Sequence, residues 1–77
     1  MKRRKSNAEI SKIFGANIKA IRKNRGLSVK DAAAGLSMSS KRLSEIENGA
    51  EIRYTTLLRF LEFYKIKMDN ELFTLFD

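Results

Sequence analysis

The segment Ser28-Val29-Lys30-Asp31-Ala32-Ala33-Ala34-Gly35-Leu36-Ser37-Met38-Ser39-Ser40-Lys41-Arg42-Leu43-Ser44-Glu45-Ile46-Glu47-Asn48-Gly49 reads as two short helices joined by a tight turn. Ser28 and Asp31 have the spacing at which a serine hydroxyl caps a helix start while an acid sits in its first turn. Three consecutive alanines, 32–34, favour helix and let a neighbouring helix come close, and Leu36 supplies an apolar anchor. Ser37-Met38-Ser39-Ser40 breaks the pattern, and its hydroxyls can cap a new helix through Leu43 and Ile46 to Asn48, where Gly49 supplies a stop. About three or four residues separate the two helices, a connection that suits a tightly packed pair.

Upstream, Ser6 and Glu9 have capping-box spacing, and Ile10, Ile13, Phe14, Ile18 and Ile21 recur at helical steps. They predict an amphipathic first helix ending near Gly26, with Lys12, Lys19, Lys23 and Arg25 on its other face. Downstream, Thr55 or Thr56 opens a strongly apolar fourth helix with Leu57, Leu58, Phe60, Leu61 and Tyr64. Residues 66–76 fit two forms: Asp69 can cap a fifth helix, and the same apolar content suits a strand. With no Pro, four Gly and 43% hydrophobic residues, the expectation is an all-α, compact domain of four to five helices. One core of this size buries only about 60% of the unfolded surface, so packing must be economical.

Composition narrows the function classes. The 77 residues carry 16 Lys+Arg against 9 Asp+Glu, a formal net charge of +7, and neither Cys nor His. That removes disulfides, thiolate and imidazole metal sites, and both the Ser-His-Asp and Cys-His constellations. The close carboxylate pairs, Glu45/Glu47 and Asp69/Glu71, point in divergent directions on a helix and have no base beside them. A non-enzymatic protein without metal or cofactor is expected. Residues 1–30 hold ten Lys/Arg and one acid, whereas 31–53 and 54–77 each hold three and four. The basic excess is therefore N-terminal, and the chain divides into a basic arm, 1–9, and a helical body, 10–77. Such asymmetry suits a polyanion partner. No apolar run approaches the roughly 20 residues that span a bilayer, and the basic start leads into Ser6-Asn7-Ala8-Glu9 rather than an apolar signal core. A cytoplasmic protein without a membrane partner is expected. Six of the seven aromatics fall at 54–76, away from the basic half, which argues against a platform stacking unpaired bases.

Residues 13–73 resemble the lambda-repressor/Cro-like (XRE-type) helix-turn-helix family of bacterial and phage regulators. The resemblance is carried by Phe14-Gly15-Ala16-Asn17-Ile18-Lys19-Ala20-Ile21-Arg22-Lys23, by Gly26-Leu27-Ser28, Ala33, Leu36 and Ser39, by Leu43-Ser44-Glu45-Ile46-Glu47-Asn48-Gly49, and by Leu57-Leu58. It implies that Arg22 pairs with Glu47 as a scaffold ion pair, for which arginine's planar fork is suited. It also implies that a recognition helix begins at Ser39 and presents Ser40, Lys41, Ser44 and Glu45 to the major groove while Leu43 and Ile46 turn inward, a sorting that helical spacing supports. Lys41 can donate to guanine, Ser39, Ser40 and Ser44 are permissive, and Glu45 can accept from cytosine. Phosphate contacts are expected from Ser28 and Lys30 at the second helix start, from Arg42, and from Asn48 and Arg53 after the third helix. Three positions depart from the family pattern: Val29 stands where a Gln is usual, Ala50-Glu51 replaces a basic pair, and Ser37 replaces a turn glycine. Lys2, Arg3, Arg4 and Lys5 are expected to compensate by tracking the DNA backbone.

The resemblance thus implies a sequence-specific, double-stranded DNA-binding transcriptional regulator, a repressor, acting as a homodimer on a palindromic operator and associated with the nucleoid. Leu72, Phe73, Leu75 and Phe76 form the expected dimer or partner surface. The alternatives are an antitoxin-type or phage/restriction-control regulator that also binds a protein partner, and a helix-turn-helix scaffold turned to protein interaction.

Overall fold

Serine hydroxyls start three of the four helices in the computed structural model, which describes residues 5–67. The helices are α1 (Asn7–Asn24), α2 (Val29–Gly35), α3 (Ser40–Glu47) and α4 (Tyr54–Tyr64). Ser6 Oγ accepts from the Glu9 N–H at 3.2 Å, and Glu9 accepts in return from the Ser6 N–H at 3.4 Å, closing the capping box of α1. Ser28 Oγ and Ser39 Oγ accept from the N–H groups of Asp31 and Arg42, each at 3.0 Å. The fourth helix departs from the sequence expectation. It begins at Tyr54 rather than at Thr55 or Thr56, and its N-cap, Arg53, makes no side-chain cap bond. Burial of Leu57 and Phe60 sets the phase of α4, and the threonine hydroxyls lie inside its first turn.

All four helices end in the same backbone device. A residue with left-handed φ follows each helix: Gly26 (68°), Ser37 (58°), Gly49 (104°) and Lys65 (53°). The next N–H then donates back across the last turn, from Leu27 to Arg22, Met38 to Ala33, Ala50 to Glu45 and Ile66 to Leu61, over 2.9–3.1 Å. Ser37 therefore adopts the left-handed turn without the glycine that usually holds it.

Both α1 and α2 pack on α3. The core joins Phe14 and Ile18 of α1, Ala32 and Ala33 of α2 with Leu36 behind it, Leu43 and Ile46 of α3, and Leu57, Phe60 and Tyr64 of α4. Phe14 meets Phe60 edge to face at 5.5 Å. Gly15 lets α1 lie directly on the end of α3: a Cβ there would overlap the Ile46 carbonyl oxygen and stand 2.9 Å from that of Glu47. The described residues form helices and no strand, and none of the helices is long and apolar enough to cross a membrane. Ile66 and Lys67 are outside any helix. The fifth helix or strand expected within 66–76 lies otherwise outside the described residues.

Candidate nucleic-acid interface

Four residues, 36–39, connect α2 to α3, so the two helices form a helix-turn-helix with Ser39 as the cap of the second. Leu43 and Ile46 are fully buried, which fixes the rotation of α3 about its axis. Ser40, Lys41 and Glu45 are consequently exposed, Ser44 is half-buried, and Asn48 closes the same face one turn on. The exposed side of α3 is thus a polar strip of hydroxyls, one amine, one carboxylate and one amide. That mixture of donors and acceptors is what base edges in a major groove present in turn.

Several of these groups are already engaged. Ser39 Oγ is spent on the cap of α3. Asn48 Nδ2 donates 2.8 Å to the Ser44 carbonyl, holding the last turn closed. The Arg42 guanidinium donates from Nη2 to the Glu51 carbonyl at 3.0 Å and stands 3.9 Å, through Nη1, from the Glu45 carboxylate. Arg42 therefore ties the start of α3 to the loop that follows it and lies beside the acid on the exposed strip. Ser28 caps α2, and Lys30 is exposed in that helix's first turn. Arg53 is exposed at the start of α4. Lys5 lies half-buried just before α1, whereas Lys2, Arg3 and Arg4, like Leu72, Phe73, Leu75 and Phe76, lie outside the described residues.

A buried ion pair ties α1 to the last residue of α3. Arg22 Nε and Nη2 donate to the two carboxylate oxygens of Glu47 at 2.8 and 3.1 Å, and Nη1 donates 2.9 Å to the Leu27 carbonyl. The hydrogen bonds that Arg22 donates to Glu47 raise the arginine pKa further, against the opposing effect of burial. Next to the pair lies Tyr64, whose hydroxyl is buried and finds no hydrogen-bond partner among the described residues. Burial, and secondarily the Glu47 charge, pushes its phenol up from the ordinary value, so the ring stays neutral. The Arg25 guanidinium covers that ring at 5.3 Å from its centre.

Sequence reasoning missed two contacts that shape this interface. Gly15 was signalled by its isolation inside a helical pattern, which usually marks a close approach. The latch from Arg42 to a main-chain carbonyl had no signal, because the acceptor belongs to no side chain.

The helix-turn-helix family model HTH_3 matches residues 18–69. Among solved structures the chain is similar to the clp gene regulator ClgR from C. glutamicum, at 22% identity over 82% of each chain with a TM-score of 0.75. It is similar to an HTH_3 family transcriptional regulator from Vibrio cholerae, at 24% identity over 80% of this chain and 35% of that one, with a TM-score of 0.74. It also resembles the restriction-modification controller protein C.AhdI from Aeromonas hydrophila, at 22% identity over 80% of this chain and 94% of that one, with a TM-score of 0.72. At such identities the likeness carries the fold. A comparison with curated proteins finds no match.

Proposed function

Because this chain belongs to the helix-turn-helix family HTH_3 and with it to the DNA-binding transcriptional regulators, we propose that it is a sequence-specific repressor. It acts as a homodimer whose two recognition helices enter successive major grooves of a palindromic operator, about 34 Å apart. The observation that carries this reading is the polar strip of α3, with Ser40, Lys41 and Glu45 exposed while Leu43 and Ile46 are buried beneath.

In this reading Lys41 donates to guanine, Ser39, Ser40 and Ser44 line the groove, and Glu45 accepts from cytosine with Arg42 offsetting its charge. Ser28 and Lys30 at the start of α2, with Asn48 and Arg53 after α3, contact phosphate. Arg42 reaches phosphate with the N–H groups that its Glu51 bond leaves over. Residues 1–9 serve as a basic arm, with Lys2, Arg3, Arg4 and Lys5 on the backbone, and 10–77 form the binding body with Leu72, Phe73, Leu75 and Phe76 at the dimer contact. The protein is cytoplasmic and works on the nucleoid. A second reading, control of a restriction-modification system, is favoured by the near-complete coverage of C.AhdI.

The test is selection from a random duplex library by the purified protein at about 0.1–0.15 M salt, with sequencing of the retained DNA. Enrichment of a two-fold symmetric site with half-sites about one turn apart is the expected result. Retention without enrichment overturns it, leaving a protein held by its basic residues alone.

A further inference from the structure

Lys12 lies in the second turn of α1, exposed, with its stem packed on Gly49, two residues past the end of α3. A Cβ built on Gly49 would meet Lys12 Cγ at 2.9 Å and Lys12 Cα at 3.5 Å, so the backbone and stem of Lys12 lie directly over Gly49. The ammonium itself makes no hydrogen bond or ion pair among the described residues. A cation whose stem is fixed and whose head is free is poised for an anion that comes from outside the molecule.

The surroundings say which anion. The polar strip of α3 ends at Asn48, immediately before Gly49. A helix about 10–12 Å across fills a major groove about 12 Å wide, so whatever packs on its end faces the sugar–phosphate rim. The loop at that place is poor in cations. Ala50 carries no charge, Glu51 is acidic, and the Glu51 carbonyl is occupied by Arg42. The first turns of α1 run along the same loop, since Asn7 and Ser11 line a cavity of about 300 Å³ together with Ala50, Glu51, Ile52 and Arg53. Lys19 and Lys23 share the stripe of Lys12, at i+7 and i+11, yet stand about 10 and 16 Å farther along the helix.

We propose that Lys12 is a phosphate-contacting cation of the DNA interface, held at the end of α3 by the packing of its stem on Gly49, and that it replaces the cations missing from positions 50 and 51. The inference rests on the DNA-binding reading above. It assigns to α1 a contact that the loop after a recognition helix would otherwise make.

The experiment follows the affinity of the purified protein for a short duplex by fluorescence anisotropy across a series of salt concentrations. Lys12→Gln keeps the Cβ and Cγ methylenes that pack on Gly49 and removes the charge. It is expected to lower the slope of log K against log salt by about 0.9 for each bound protomer, and to weaken binding up to about eight-fold at 0.1 M salt. Lys19→Gln and Lys23→Gln are expected to keep the unmodified slope, and Lys12→Arg to restore it. Melting curves of all four variants are expected to coincide with that of the unmodified chain. An unchanged slope for Lys12→Gln, or an equal loss for Lys23→Gln, overturns the proposal while leaving DNA binding intact. A chain that fails to hold duplex DNA at any salt overturns the functional reading itself, and this inference with it.

Discussion

Arg22 and Glu47 show how much of the fold can depend on two side chains. Both are nearly removed from solvent, at 7% and 8% exposure, and each answers the other's charge with two hydrogen bonds. Taking one away leaves the other charged, buried and alone, which costs about 3–5 kcal/mol. A domain of this size has a stability of roughly 5 kcal/mol or little more, so Arg22→Ala is expected to keep no more than about 2 kcal/mol and to be only marginally folded. The double variant Arg22→Met with Glu47→Leu leaves no orphan charge and is expected to lose much less. Urea unfolding followed by circular dichroism separates the two, and an Arg22→Ala midpoint close to the unmodified one would sink the idea that the pair ties α1 to α3. The pairing was legible only through the resemblance, although the structure shows Arg22 on the core-facing stripe of α1, one turn after Ile18. An arginine in an apolar stripe needs a carboxylate, and the resemblance to the repressor family supplied which one. Gly15 carried a signal that went unread, a lone glycine inside a helical pattern, whereas the Tyr64 hydroxyl was not legible, since its burial depends on how α4 packs against α1 and α3, which no local pattern encodes.

At the scale of elements, starts and stops divide along chemistry. A serine three residues before the N–H that donates to it is a local device, and Ser6 and Ser28 could be read from spacing alone, while Ser39 was one of several hydroxyls in 37–40 until the resemblance singled it out. The start of α4 could not. Arg53 offers no cap, Thr55 and Thr56 advertise a start they do not make, and the true phase comes from burying Leu57 and Phe60. The stops carry a testable strain. Gly26 and Gly49 occupy left-handed turns without cost, whereas Ser37 and Lys65 occupy the same turns with a Cβ. A left-handed L-residue costs roughly 1–2 kcal/mol, and the extra freedom of an unfolded glycine returns about half of that. Ser37→Gly is therefore expected to stabilise the domain by about 0.5–1 kcal/mol, raising the melting temperature by a few degrees. Because Ser37 lies in the turn and not on the exposed strip of α3, the affinity for DNA is expected to stay the same. A lower melting temperature would show that the Ser37 side chain contributes a contact worth more than the strain.

At the scale of the molecule, charge and assembly have to be considered together. Ten Lys/Arg and one acid lie in residues 1–30, while the remaining segments are each net acidic by one. A polyanion held mainly by that basic third gains affinity from every phosphate it neutralises, at about 0.9 in the salt slope per contact. If two copies act on one operator, the contacts double, and the slope on a full two-fold site is expected to be about twice that on an isolated half-site. The proposed dimer is assigned to Leu72, Phe73, Leu75 and Phe76, which lie outside the described residues. Among the described residues, the large apolar side chains left open are Tyr54 at 66% and Leu58 at 44%, one turn apart on α4. Two open side chains are a thin basis for a stable dimer, so the C-terminal four are expected to supply the larger share of the contact. Phe73→Ser combined with Phe76→Ser is accordingly expected to convert a sedimenting dimer into a monomer and to reduce the full-site slope to that of the half-site. Tyr54→Ser with Leu58→Ser is expected to leave both unchanged. If the α4 variant dissociates and the C-terminal one does not, the dimer is built on α4, and the spacing of the two recognition helices must follow from that helix instead.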